Sequence, residues 1–371
     1  MEKTGLGRNK PSKEKLKKHD LLKVSDVSSA KPEEDGFIYL DTKNAPFVLG
    51  GLIHPDDNCG EYYRLDASKK EIYSEANRGL AYHTAGGNVR FATDSELISI
   101  RVTLREGFGR MHHFADRGVY GIDNYIGTGT DRRYVGKMMQ TFANSMEVNC
   151  ETVALPSGVK EFEIELPLYA GITKLEVGFK KGDKLGAPTK RTFDPIAFYG
   201  SSITQGGCVS RPGNSYCNIV CRAFDADCVN YGFSGSAMGE LSVAEHIATR
   251  KLSCFVMDYD YNSPSAETLR DTHEPFFKVI RAAQPELPVV FVTHPFYSEP
   301  TKGDLERISI VRQTYENAKE NGDKNVYFVD SRDFFTKDLR DLYAVDNLHP
   351  NDLGQFSMAQ HIAKAVAKAL K

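Results

Sequence analysis

Three residue types that together make a nucleophile stand far apart in this chain. Ser202 lies in Phe198-Tyr199-Gly200-Ser201-Ser202-Ile203-Thr204-Gln205-Gly206, while Asp346 and His349 lie in Val345-Asp346-Asn347-Leu348-His349-Pro350-Asn351. A hydroxyl is a weak nucleophile near neutral pH. It needs an imidazole within hydrogen-bond reach, and a third group to hold the imidazole's tautomer. Ser202, His349 and Asp346 supply nucleophile, base and orienter. Ser201 is the rival nucleophile because the two are adjacent, and a helix cap is the competing reading of either serine. Asp346 likewise has the chemistry of a helix start, but its spacing to His349 favours the orienter.

The two blocks together resemble the SGNH (GDSL-type) esterase superfamily. Gly200-Ser201-Ser202-Ile203 aligns with the Gly-Asp-Ser-Leu-like block, so the family's serine falls on Ser202 and Ser201 stands where Asp is common. Asp346-x-x-His349 followed by Pro350-Asn351 matches the last block. The resemblance implies an oxyanion hole built from the backbone N–H of Ser202 and two further donors. Asn230-Tyr231-Gly232-Phe233-Ser234-Gly235 places the Gly235 N–H there, and Asp258-Tyr259-Asp260-Tyr261-Asn262-Ser263 places the Asn262 side chain there. The second of these departs from the usual Gly-x-Asn-Asp. Losing one such donor typically costs about 100- to 1000-fold in rate. Tyr261, beside Asn262, and His294 are the candidate substrate contacts. His294 follows the fourth strand but lacks a sequence-adjacent Asp, so a packed loop residue is the competing reading.

These residues need a scaffold, and the pattern of the chain changes near residue 190. Between 36 and 190, short alternating segments such as Ile98–Leu104, Phe162–Leu166 and Leu175–Phe179 are separated by Gly, Asn, Asp and Pro. This is antiparallel β patterning, and it suggests a sandwich of jelly-roll type. From 191 to 371, apolar strands at 195–199, 228–231, 254–257, 289–293 and 326–329 alternate with helices at 215–224, 266–283, 305–321 and 357–370. That rhythm predicts a five-stranded parallel sheet covered on both faces, a flavodoxin-like α/β/α domain. Ser202, Gly235 and Asn262 follow its first three strands, at the carboxyl edge where such sheets bind ligands.

The N-terminal half carries a weaker resemblance. Thr84–Ser95 and Gly121-Ile122-Asp123-Asn124-Tyr125 are similar to the β-sandwich module with a Gly-x-Asp-Leu-Tyr signature that precedes some bacterial SGNH esterases, with Asn124 in place of Leu. Gly121, Asp123 and Tyr125 are also good turn residues, and a structural turn is the favoured reading. Gly127-Thr128-Gly129-Thr130-Asp131-Arg132 lacks the ending of a phosphate loop and reads as a hairpin turn. His112 and His113, in a β context, point to opposite faces and so do not share a metal, although one could reach the cleft.

Composition bounds the rest. The chain has 371 residues, 40% of them hydrophobic, which exceeds the usual size of one core and favours two domains. Residues 1–35 form a Lys-rich arm with Lys10, Lys13, Lys15, Lys17 and Lys18, read as solvated. A formal net charge of −3 with interspersed signs argues against nucleic acid as a partner. No apolar run suggests a membrane span or a signal peptide, and seven irregularly spaced cysteines do not make a secreted disulfide framework, so the expected location is cytoplasmic. Cys208, Cys217, Cys221 and Cys228 read as thiols rather than zinc ligands. No metal or cofactor is required by this chemistry. A homo-oligomer is the default for such an enzyme. The resemblance implies an O-acetyl or short-acyl esterase acting on carbohydrates. A thioesterase or short-chain acyl lipid esterase, and a non-catalytic carbohydrate-binding protein, are the alternatives.

Overall fold

The computed structural model describes residues 19–105, 111–138 and 148–371. The Lys-rich stretch of the arm lies outside them.

Residues 22–186 form two antiparallel sheets. Among the described residues, one has seven strands: β1 (Leu22–Lys23), β3 (Val48–Gly50), β4 (Asn88–Thr93), β6 (Ile122–Ile126), β7 (Arg133–Met138), β9 (Lys160–Glu165) and β11 (Lys184–Gly186). Its order is β1-β11-β4-β9-β6-β7, with β3 also on β4. The other runs β2-β10-β5-β8, from Ile38–Asp41, Ile172–Phe179, Leu97–Leu104 and Val148–Ala154 respectively. Strand side chains alternate between faces, so Ile98, Ile100 and Val102 of β5 meet Val89 and Phe91 of β4 and Phe162 and Ile164 of β9 in one core. This is the expected sandwich. It reaches further toward the N-terminus than residue 36, because Leu22 and Lys23 pair with Leu185 and Lys184 and Val24 is buried in the same core.

Part of the segment assigned to the sandwich packs elsewhere. Tyr63, Leu65, Tyr73 and Leu80 join the core of the second domain, against Tyr199, Tyr231 and Phe255.

The second domain has the parallel sheet order β13-β12-β14-β15-β16, from Cys228–Gly232, Ile196–Gly200, Cys254–Asp258, Val289–Val292 and Val326–Val329. Strands β12, β13 and β14 are buried throughout, as their unbroken apolar runs require. Helices Tyr216–Phe224 and Asp352–Ala369 cover one face; Leu241–Ala248, Ala266–Ala283 and Lys302–Glu320 cover the other. The helix at 241–248 was not legible in the strand and helix rhythm. The last helix begins five residues before the expected 357, because the Asn351 side chain accepts from the Leu353 and Gly354 N–H groups and caps it there. Cys217, Cys221, Cys228 and Cys254 are buried free thiols. Among the described residues, no helix is long and apolar enough to cross a membrane.

The domains meet across the outer face of β9. Glu163 and Glu165 alternate with Phe162 and Ile164, and turn to the second domain instead of to water. Glu163 pairs with Arg132 and, at 2.7 Å, with Arg191; Glu165 pairs with Arg222 at 2.8 Å. Burial opposes the charge on Glu163, but the two guanidinium groups outweigh it and hold its carboxyl well below the usual range.

Gly121, Asp123 and Tyr125 do not form a turn. Gly121 ends the short helix Asp116–Tyr120, and Asp123 and Tyr125 lie on β6. Arg211 of the second domain donates to Asp123 Oδ2 at 2.6 Å and to Tyr125 Oη at 2.8 Å. Residues 127–132 form the turn between the paired strands β6 and β7, as expected, with Gly127 and Gly129 at positive φ.

Candidate active site

Strand β12 ends at Gly200, and the chain turns directly into a short helix, Ser202–Gln205. The two adjacent serines separate here. Ser201 Oγ accepts from the Ile203 N–H at 3.1 Å and caps the helix, whereas Ser202 Oγ is 2.8 Å from His349 Nε2. The cap and the hydroxyl that meets His349 are therefore different residues. Ser202 and His349 are buried, at 9% and 7% exposure, so their contact is formed largely away from water.

His349 comes from the loop after β16. Its Nδ1 lies 2.8 Å from Asp346 Oδ2, and its backbone N–H donates to Asp346 Oδ1 at 2.7 Å. Asn347, at φ 60°, supplies the left-handed residue that folds this segment back on itself. Burial works against the Asp346 carboxylate, but the His349 and Leu348 N–H groups and the His349 ring more than compensate and lower its pKa. An ionised Asp346 selects the His349 tautomer with its proton on Nδ1, which leaves Nε2 to accept from Ser202.

The loops after the second and third strands are tied to each other and to the helix that begins at Ser202. Gly235 has φ 68°, and the space where a Cβ would stand is open. Among the described residues, neither the Ser202 nor the Gly235 N–H is given to a protein acceptor. Asn262 donates one amide N–H to Phe233 O at 3.0 Å, which ties the two loops together and leaves its second N–H. Gln205 braces the Gly235 loop by accepting from the Ser234 N–H, and is itself held by His83 Nδ1 at 2.9 Å. Sequence carried no signal for that bracing role.

His294 is a packed loop residue, one of its two readings. Although no Asp is adjacent in sequence, Asp260 Oδ2 lies 2.8 Å from Nδ1 and Asp304 Oδ1 lies 3.3 Å from Nε2. Burial opposes its charge, yet the two carboxylates prevail and raise its pKa. With both nitrogens engaged and 2% exposure, it packs beneath Tyr261, ring to ring at 4.8 Å. Tyr261 is 41% exposed and available to a ligand.

The N-terminal domain builds another wall. His112 and His113 lie in a turn, not a strand, so the opposite-face argument does not apply; their rings are 4.9 Å apart. His113 packs on His349 at 5.4 Å and Phe114 stands edge-on to His349 at 5.8 Å. Tyr169 donates to Ser202 O at 2.9 Å. His113, Cys208 and His349 bring potential metal ligands within 4.8 Å of one another. Both His349 nitrogens are already hydrogen-bonded, however, so this trio fits a metal poorly.

Residues 193–367 match the GDSL-like lipase/acylhydrolase family, and residues 37–185 match GxDLY, the N-terminus of esterases of the SGNH-hydrolase type. No curated protein matches the chain. Among solved structures, a Bacteroides ovatus protein described as a GDSL-like lipase has a TM-score of 0.79 at 24% identity, covering 90% of this chain and 98% of its own. The salicylyl-acyltransferase SsfX3 of a tetracycline biosynthetic pathway has 0.75 at 17%, covering 91% and 100%. A family two carbohydrate esterase from Cellvibrio japonicus has 0.60 at 12%, covering 90% and 98%. These likenesses establish the shared two-domain fold. With both domains matched in order by family models, the chain belongs to the GDSL/SGNH-type serine esterases that carry a separate GxDLY domain ahead of the catalytic one.

Proposed function

We propose that the protein hydrolyses O-acetyl or other short-acyl esters of carbohydrates through a covalent acyl-enzyme. The observation that carries the reading is the unbroken hydrogen-bond chain from Ser202 Oγ through His349 to Asp346, at 2.8 Å and 2.8 Å. In this mechanism His349 Nε2 takes the Ser202 proton as Oγ attacks the ester carbonyl. The oxygen that gains charge is received by the N–H groups of Ser202 and Gly235 and the free amide N–H of Asn262. The imidazolium then protonates the leaving alcohol. Water repeats the sequence on the acyl-enzyme, with Asp346 steadying the ring's charge in both halves.

Support for a sugar substrate is the half-exposed Tyr261 ring beside Asn262, whose flat apolar face suits a pyranose, together with the carbohydrate esterases among the structural neighbours. A second reading, an ester with a longer apolar portion, is favoured by Leu339, Leu342 and Val345. These are about half exposed on the segment leading into Asp346. Acetate release from acetylated manno- and xylo-oligosaccharides, compared with hydrolysis of 4-nitrophenyl acetate and butyrate, tests the choice. Turnover of the sugars that disappears in Ser202→Ala supports the first reading; turnover of the butyrate ester in preference to every sugar supports the second.

A further inference from the structure

His113 reaches the site from the N-terminal domain, and neither the hydrogen-bond chain nor the oxyanion donors use it. Its Nε2 lies 3.9 Å from Asp346 Oδ2, the same oxygen that faces His349 Nδ1. The ring is held among Phe114 at 4.5 Å, His112 at 4.9 Å and His349 at 5.4 Å, and among the described residues its buried Nδ1 has no hydrogen-bond partner. Two imidazoles thus face one carboxylate oxygen, His349 hydrogen-bonded to it and His113 just beyond hydrogen-bond reach.

We propose that His113 is a positioning residue for the base: while neutral it leaves Asp346 to hold His349, and once protonated it draws that carboxylate to itself and opposes the charge His349 must acquire. The inference rests on the triad reading above. Burial and then the His349 ring lower the His113 pKa against the pull of Asp346, so the neutral form prevails at neutral pH. The groups facing it are His112 on its own turn, Asp346 and His349 on the loop after β16, and Cys208 on the loop after the nucleophile helix. Cys208 is uncharged, because burial raises its thiol's pKa far above the working range. Tyr261 and Tyr297 are near enough to feel the Asp346 charge, and both are neutral phenols whose pKa burial raises. The pair that decides the effect is therefore His113 and His349, competing for one negative charge. Two like charges this close in a partly buried site interact strongly enough to change a rate at least tenfold.

The test is the pH dependence of kcat/KM for wild type, His113→Gln and His113→Phe. The expected result is that the ratio of each variant to wild type rises about tenfold from about pH 8 to about pH 5, because only the wild type acquires the opposing charge. A residue that merely packs would give a ratio independent of pH, and that outcome overturns the proposal. Full turnover in Ser202→Ala would instead remove the triad reading, which separates the two failures.

Discussion

Asp123 of the sandwich and Gly213 of the catalytic domain are joined by a 2.8 Å hydrogen bond from the Gly213 N–H to Asp123 Oδ2. Only glycine permits it, since a Cβ on residue 213 would lie 1.9 Å from Tyr125 Oη. The same carboxylate oxygen accepts from Arg211, so a single buried side chain of one domain holds two groups of the other.

Removing that anchor should therefore act on the whole molecule. Asp123→Ala leaves Arg211 without its carboxylate and the Gly213 N–H without an acceptor. We expect a loss of about 2–3 kcal/mol, below the range for a fully buried pair because Arg211 is partly exposed. Urea denaturation of wild type and variant measures it; a loss within about 0.5 kcal/mol would contradict the anchor.

Ser202→Ala and His349→Ala should each lower kcat by about 10,000-fold or more while the fold persists, and Asp346→Asn by about 10,000-fold through the wrong His349 tautomer. Steady-state kinetics with circular dichroism checks this. Substantial turnover in His349→Ala would sink the assignment of the base.

Asn262→Ala removes the proposed third donor to the developing oxyanion and also unties the loop at Phe233 O. The expected effect is a fall in kcat of about 100- to 1000-fold, with a much smaller change in KM. An effect confined to KM would instead make Asn262 a contact to bound substrate.

Three buried histidines should each cost stability in mild acid. Burial holds His83, His246 and His273 down to about 3, 4 and 4. Each stays neutral in the fold but takes a proton in the unfolded chain below about pH 6.5, so stability is lost as pH drops from there toward the folded values. His294 has the opposite sign: its pKa is raised, so its contribution is complete below about pH 6.5 and disappears as pH rises through the folded value. Asp258 and Glu165 share the sign of His294, because burial raises their carboxyl pKa values and they take protons in the fold as pH falls. The histidine contribution is therefore read by difference: the urea midpoint of wild type relative to His273→Gln should decline between about pH 6.5 and about pH 4. A difference that stays flat across that window would show that the His273 ring is not held neutral.

Sequence alone determined the strand and helix rhythm, the order of the serine and histidine blocks, and the strand ends on which Ser202, Gly235 and Asn262 stand. Those features are local: a run of apolar residues of the right length makes a buried strand wherever it lies, and a turn after it delivers its residue to the carboxyl edge. Tertiary structure decided what depends on which surfaces meet. Alternation in β9 showed that Glu163 and Glu165 share a face, and only domain docking turned that face from water to Arg191 and Arg222. The two adjacent serines carry the same chemistry, and the position of His349, 147 residues onward, distinguished them. His294 found its carboxylates, and His113 reached Asp346, across loops from separate parts of the chain. Such contacts arise when independently stable layers pack, and no spacing within one segment encodes them.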